Sequence, residues 1–260
     1  MSTPSGAILL GYGGSEHSKI ALRWADDLAV TLSRPLHVLV SALHVADVPG
    51  VPKEHLAGHV TEELEQLLTS AKAPETSMTT VLNPPGESLV RAAESAHLTV
   101  LGARTQGPLR SMVTGSVSQY VTRHAPGPVV VIREPHTPRT GRIVVGIDGS
   151  EHSAKALRFA LEHAKETGGH VRALHVQQRG GVADEQVDRV IAHGTESAGG
   201  VRVTTDHVPG SADDELAAAS READLLVIGT RGRGPVQALL LGSVTQSVLQ
   251  HAQCPVAVVH

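Results

Sequence analysis

The residues with the clearest chemical meaning stand late in the 260-residue chain: Gly229-Thr230-Arg231-Gly232 and, nine residues on, Gly242-Ser243-Val244-Thr245. Glycines directly after a strand let the backbone approach a ligand and expose its N–H groups. The second half opens a helical stretch, and helix N-termini favour anions. Together the halves describe a phosphate cradle made from one loop that leaves a sheet and returns. Ser243 and Thr245 can add hydroxyl donors. A threonine at 232 is expected to crowd the backbone's approach to phosphates and cost at least about tenfold in affinity. No G-x-x-x-x-G-K-[ST] occurs, which excludes the nucleotide triphosphate hydrolases built on that loop. No Ser/His/Asp elbow or carboxylate pair of defined spacing argues for hydrolase chemistry.

Short β-branched runs and amphipathic stretches alternate around this loop. The runs are 143–147, 170–176, 201–205, 225–229 and 255–259; the helical patterns cover 153–167, 184–198, 211–222 and 243–251. Near-continuous apolar strands predict burial on both faces, as in a parallel sheet covered by helices. Five strands and four crossover helices make a doubly wound α/β domain, whose ligands sit beyond the strand carboxyl ends. The first strand ends in Gly146-Ile147-Asp148-Gly149-Ser150, which carries no G-x-G-x-x-G fingerprint.

The chain is written twice. Residues 11–25 and 146–160 share ten of fifteen positions, and 98–132 aligns without gaps on 225–259 with sixteen identities in thirty-five. The expected domains are 1–135 and 141–260, joined through the Pro-rich, charged stretch 133–142.

Both copies resemble universal stress protein domains, so the chain is similar to a tandem universal stress protein. The residues that carry the resemblance are VVGIDGSEHS after the first strand, ALHV closing the second, and VIGTRGRGPVQALLLGSVTQSVLQHAQCPVAVV to the end. The resemblance implies two five-stranded parallel sheets of order 3-2-1-4-5 and ATP, with Mg²⁺ on its phosphates, over the strand ends of the second copy. The implied binding residues there are Asp148 near the adenosine moiety, Gly149 beside it, Val176 against the adenine through its backbone, and Gly229, Gly232, Gly242, Ser243, Val244 and Thr245. Arg231 and Arg233 stand near the phosphates. In the first copy Gly13 replaces Asp148 and Thr105 replaces Gly232, while Gly102, Gly115, Ser116, Val117 and Arg104 remain. Its site is expected to be degenerate.

The implied function is that of an ATP-binding stress-response regulator, acting through nucleotide-dependent pairing or contact with a protein partner. A nucleotidyl- or phosphoryl-transferring enzyme and a pairing module with vestigial sites are the alternatives. Members of the family pair through the last strand, here 128–132 and 255–259. A homodimer or an intramolecular pseudo-dimer is therefore expected.

Composition narrows the choices further. One Trp, one Phe and two Tyr leave the cores aliphatic and remove the stacking platforms of single-stranded nucleic-acid binders. A net charge of -4 with no basic stripe disfavours DNA or RNA as the main ligand. The N-terminal apolar run is four residues, AILL, with no cationic segment before it. No signal peptide or membrane span is expected, and the cytoplasm is the expected location. Among sixteen histidines, His55 and His59 share helical i, i+4 spacing without a third ligand, and are read as a solvated face. The recurrence of His17 and His152 is read as a mark of duplication. Cys254 is read as a small residue beside the last strand rather than as a reactive thiol.

Overall fold

The computed structural model describes residues 3–41, 53–103, 115–134, 140–177, 185–196, 198–232 and 241–260, the side chains of 53–57 excepted. Arg104, Thr105, Arg233, the His55 side chain and residues 135–139 of the connecting stretch lie outside the described residues. The chain divides into two compact units, Met1–Arg133 and Glu134–His260.

The first unit runs β1 (Ile8–Tyr12), α1 (Glu16–Leu32), β2 (Leu36–Ser41), α2 (Lys53–Thr69), β3 (Thr76–Val81), α3 (Pro85–Ala92), β4 (Leu98–Gly102), α4 (Ser116–His124) and β5 (Val129–Ile132). Its strands pair in parallel in the order β3-β2-β1-β4-β5. The second unit repeats the plan with β6 (Arg142–Gly146), α5 (Glu151–Thr167), β7 (His170–Gln177), α6 (Glu185–Glu196) and β8 (Val203–Pro209). It continues through α7 (Ala212–Ala219), a 3-10 turn at Ser220–Glu222, β9 (Leu225–Gly229), α8 (Ser243–His251) and β10 (Val256–Val259). Its order is β8-β7-β6-β9-β10, again all parallel. The expected doubly wound architecture is therefore present in each unit. Strand order reverses between β1 and β4 and between β6 and β9, where such sheets hold their ligands.

The aliphatic core follows from composition. Ile8, Leu10, Leu36 and Val38 are fully buried in the first unit, as are Val144, Val171 and Leu226 in the second. Ala21, Ala25 and Ala29 recur at helical spacing on α1 and are also fully buried, so small side chains let the helix lie close to the sheet. Helix α5 begins earlier than the expected 153. Ser150 caps it instead, accepting from the Ser153 N–H at 3.2 Å. The third strand of this unit is displaced from the expected 201–205 to Val203–Pro209. Gly199 and Gly200, at φ +56° and +90°, turn the chain first, and the ladder to β7 then continues to Pro209. Neither β3 nor β8 shows a fully buried run, because each is a polar end strand of its unit. The near-continuous buried pattern belongs to β1, β2, β4 and β5 in the first unit and to β6, β9 and β10 in the second.

His37, on β2, is buried with Nδ1 2.8 Å from Ser77 Oγ, and burial lowers its pKa below the usual imidazole value. A base with a depressed folded pKa binds fewer protons when folded, so its contribution is full above about pH 6.5 and is lost as pH falls below it. Thermal melts from pH 8 to 5 should show a falling Tm below about pH 6.5, and His37→Asn should flatten that fall. An equal slope in native chain and variant would remove His37 as the cause.

Candidate ligand cleft at the strand ends

The carboxyl ends of β6, β7 and β9 surround a cleft of about 260 Å³ in the second unit. Leu174, Ala212, Leu216 and Ile228 give it an apolar wall. Asp148, Arg231, Gly232 and the first turn of α8 are also part of the lining. Of the residues predicted from sequence, Asp148, Val176, Gly229, Arg231, Gly232, Gly242, Ser243, Val244 and Thr245 all line it. Gly149 does not. It occupies φ +80° in the turn between Asp148 and Ser150, a conformation that an L side chain resists.

Asp148 is held by that turn. Its Oδ1 accepts from the Ser150 N–H at 3.0 Å and from Ser150 Oγ at 2.6 Å. The same serine caps α5, so one short segment fixes both the carboxylate and the start of the helix. On the adjacent strand, His175 Nδ1–H donates to the Ile147 carbonyl at 2.8 Å, while Ile147 N–H donates to Leu174 O at 2.9 Å. The residue before Asp148 is thus clamped from β7. Sequence reasoning missed His175; its place directly before Val176 was the available signal.

The glycines do different work from one another. A Cβ on Gly229 would stand 2.8 Å from His152 Cβ and 3.0 Å from its carbonyl carbon, and one on Gly102 would stand 2.5 Å from His17 O. These two glycines admit the first turns of α5 and α1 at the backbone of His152 and His17. Gly242 is different, since its nearest neighbour would be 3.5 Å away. Its N–H donates to Thr230 O at 2.9 Å, which closes the returning loop. Thr245 Oγ1 donates to Gly229 O at 2.9 Å and so braces the strand end. Helix α8 has no side-chain cap, and its first intrahelical bond runs from Gln246 N–H to Gly242 O. The N–H groups of Ser243, Val244 and Thr245 precede that ladder, as the first turn of any helix must. An uncapped helix start of this kind can receive an acceptor or an anion.

The first unit has a corresponding cleft of about 390 Å³ between β1, β2 and β4, lined by Gly13, Gly102, Gly115 and Ser116 among others. It is larger than its counterpart, so volume does not set the copies apart. Their side chains do. Gly11 faces Leu39 as Gly146 faces Leu174, which puts Ser41 at the place of Val176 and Val40 at that of His175. Gly13 supplies no carboxylate. Tyr12 replaces Ile147, and its buried hydroxyl is pushed up to about 12, first by burial and then by Glu63. Lys19 lies 2.6 Å from Glu63 and 3.1 Å from Glu16, and hydrogen bonding to Glu63 and Glu16 holds its ammonium well above the usual value.

Other predicted sites resolve simply. His59 is exposed, 3.9 Å from Glu62. Among the described residues no group of three His, Cys, Asp or Glu could hold a metal ion. Cys254 is buried and burial pushes its thiol up to about 12. No described helix is long and apolar enough to cross a membrane.

Fold and cleft define a duplicated, doubly wound α/β protein with a cleft at the switch point of each sheet. The sequence profile of the Universal stress protein family matches residues 5–133, 140–189 and 181–260, and the chain belongs to that family. Universal stress protein Rv2623 of Mycobacterium tuberculosis (strain ATCC 25618 / H37Rv) is 30% identical over 283 residues, covering 96% of this chain and 95% of its own. The crystal structure of a universal stress protein from Archaeoglobus fulgidus DSM 4304 superposes with a TM-score of 0.74 at 24% identity, covering 98% of each chain. A universal stress protein solved in complex with cAMP aligns at 27% identity over 46% of this chain and 95% of its own, with a TM-score of 0.38.

The glycine roles can be separated by denaturant unfolding. Gly229→Ala should destabilise the protein by about 1–3 kcal/mol, since the α5 backbone must shift. Gly242→Ala should cost under about 1 kcal/mol, the ordinary helix-end difference. Equal losses would contradict this division of labour.

Proposed function

We propose that the protein is an ATP-binding regulator whose tight site is the cleft of the second copy. The observation that carries this reading is the convergence on one cleft of an apolar wall, a fixed carboxylate and an uncapped helix N-terminus. The cleft lies just under the roughly 300–1,000 Å³ of pockets that enclose a drug-sized ligand, which suits an adenosine group with its phosphates at the rim. In this reading Leu174, Val176, Leu216 and Ile228 take the base and Asp148 accepts from the sugar. The N–H groups of Ser243, Val244 and Thr245, with Arg231, take the phosphates. Asp148 is the only carboxylate among the described lining residues, so Mg²⁺ would rest chiefly on phosphate oxygens. The bound nucleotide would bias how the protein pairs with itself, within or between chains, or engages a protein partner.

The first copy keeps Gly115 and Ser116 at a helix start but has Gly13 at the place of Asp148, and the carboxylate that does line its cleft, Glu16, is engaged by Lys19, so its affinity for the same ligand is lower. Titration calorimetry of the full chain should give about one tightly bound ATP. Asp148→Ala should weaken it at least about tenfold, the loss of one charge-assisted hydrogen bond, and Ser243→Ala less. Two equivalent ATP sites, or none, would overturn the reading. Turnover of added ATP with a second substrate would favour a transferring enzyme.

A further inference from the structure

A Cβ on Gly232 would lie 2.5 Å from Asp148 Oδ2, far inside contact distance. The carboxylate cannot simply swing aside. Its other oxygen is held by the Ser150 N–H and hydroxyl, and Ser150 is in turn engaged in capping α5. The missing side chain at 232 therefore bounds the carboxylate on one face while the serine turn bounds it on another. An independent observation comes from the duplication. In the first copy the aspartate is Gly13 and the loop glycine is Thr105, so both members of the pair differ together.

We propose that Gly232 is a positioning residue for Asp148: it is glycine in order to seat the carboxylate, and a side chain there disables the cleft through Asp148 rather than by crowding the phosphates. The pair ties the end of β6 to the loop after β9, so the sugar and phosphate ends of the site are set together. The idea rests on the proposed nucleotide reading for its ligand, but its geometry can be tested without one.

Four full-length proteins make the test: native, Gly232→Ala, Asp148→Gly and the double variant. Each is titrated with ATP and with adenosine and melted without ligand. Gly232→Ala should weaken ATP and adenosine by the same factor, at least tenfold, in the native background. It should weaken either by less than twofold when Asp148 is already Gly. It should also lower the Tm of the ligand-free native chain but not that of Asp148→Gly. A loss confined to ATP, or one that persists undiminished without Asp148, would overturn the proposal in favour of phosphate crowding. If neither ATP nor adenosine binds the native chain, the nucleotide reading fails, and the melting temperatures alone decide: additive shifts overturn the pairing, and non-additive shifts sustain it.

Discussion

The constraint on which the cleft depends is the approach of a helix's first turn to the end of the strand beside it. At Gly229 and at Gly102 the backbone of the incoming helix fills the space that a side chain would need. That contact fixes where β9 and β4 end and where the following loops depart. Thr245, reaching from α8 to the Gly229 carbonyl, braces the same strand end from the opposite side. Ser118 makes the corresponding bond to Gly102 at 3.4 Å in the first unit. The cleft exists because strand, entering helix and returning helix are locked at one point.

From this point the two copies diverge in chemistry while sharing a frame. Both clefts keep an aliphatic wall, but the second places a carboxylate, a histidine clamp and Val176 at the strand ends. The first substitutes Gly13, Val40 and Ser41 at the corresponding positions, and adds a tyrosine beneath an ion-paired lysine. Lys19 and its two glutamates stand on the surface side of Tyr12, where exposed pairing contributes little to stability. Burial, and then Glu63, disfavours the charged form of the Tyr12 hydroxyl, which shows as a raised pKa. Duplication has preserved the scaffold and released the site residues to differ.

The fold was legible in the sequence because parallel sheets buried on both faces write themselves as apolar runs separated by amphipathic helices. The runs at 225–229 and the helix at 243–251 stand where their patterns put them. The polar strand β8 was harder to place. Its threonines, aspartate and histidine carry no core signal, and two glycines with positive φ decided where it starts. Helix α5 was read from its apolar spacing, whereas its true start lay in the hydroxyl of Ser150.

The candidate site divides along the same line. Spacing alone marked Gly229, Gly232, Gly242 and Ser243, since glycine and a helix-opening serine are local signals. The sequence therefore determined which loop could approach a ligand and which copy kept an acidic residue beside it. It did not distinguish a glycine that admits a helix from one that admits a carboxylate. Nor did it separate a threonine braced on a carbonyl from one facing a ligand. Those roles depend on which atoms meet across strands some eighty residues apart, as at Asp148 and Gly232. Only the packing of β6 beside β9 brings them together, because a missing side chain has meaning only through what fills its place.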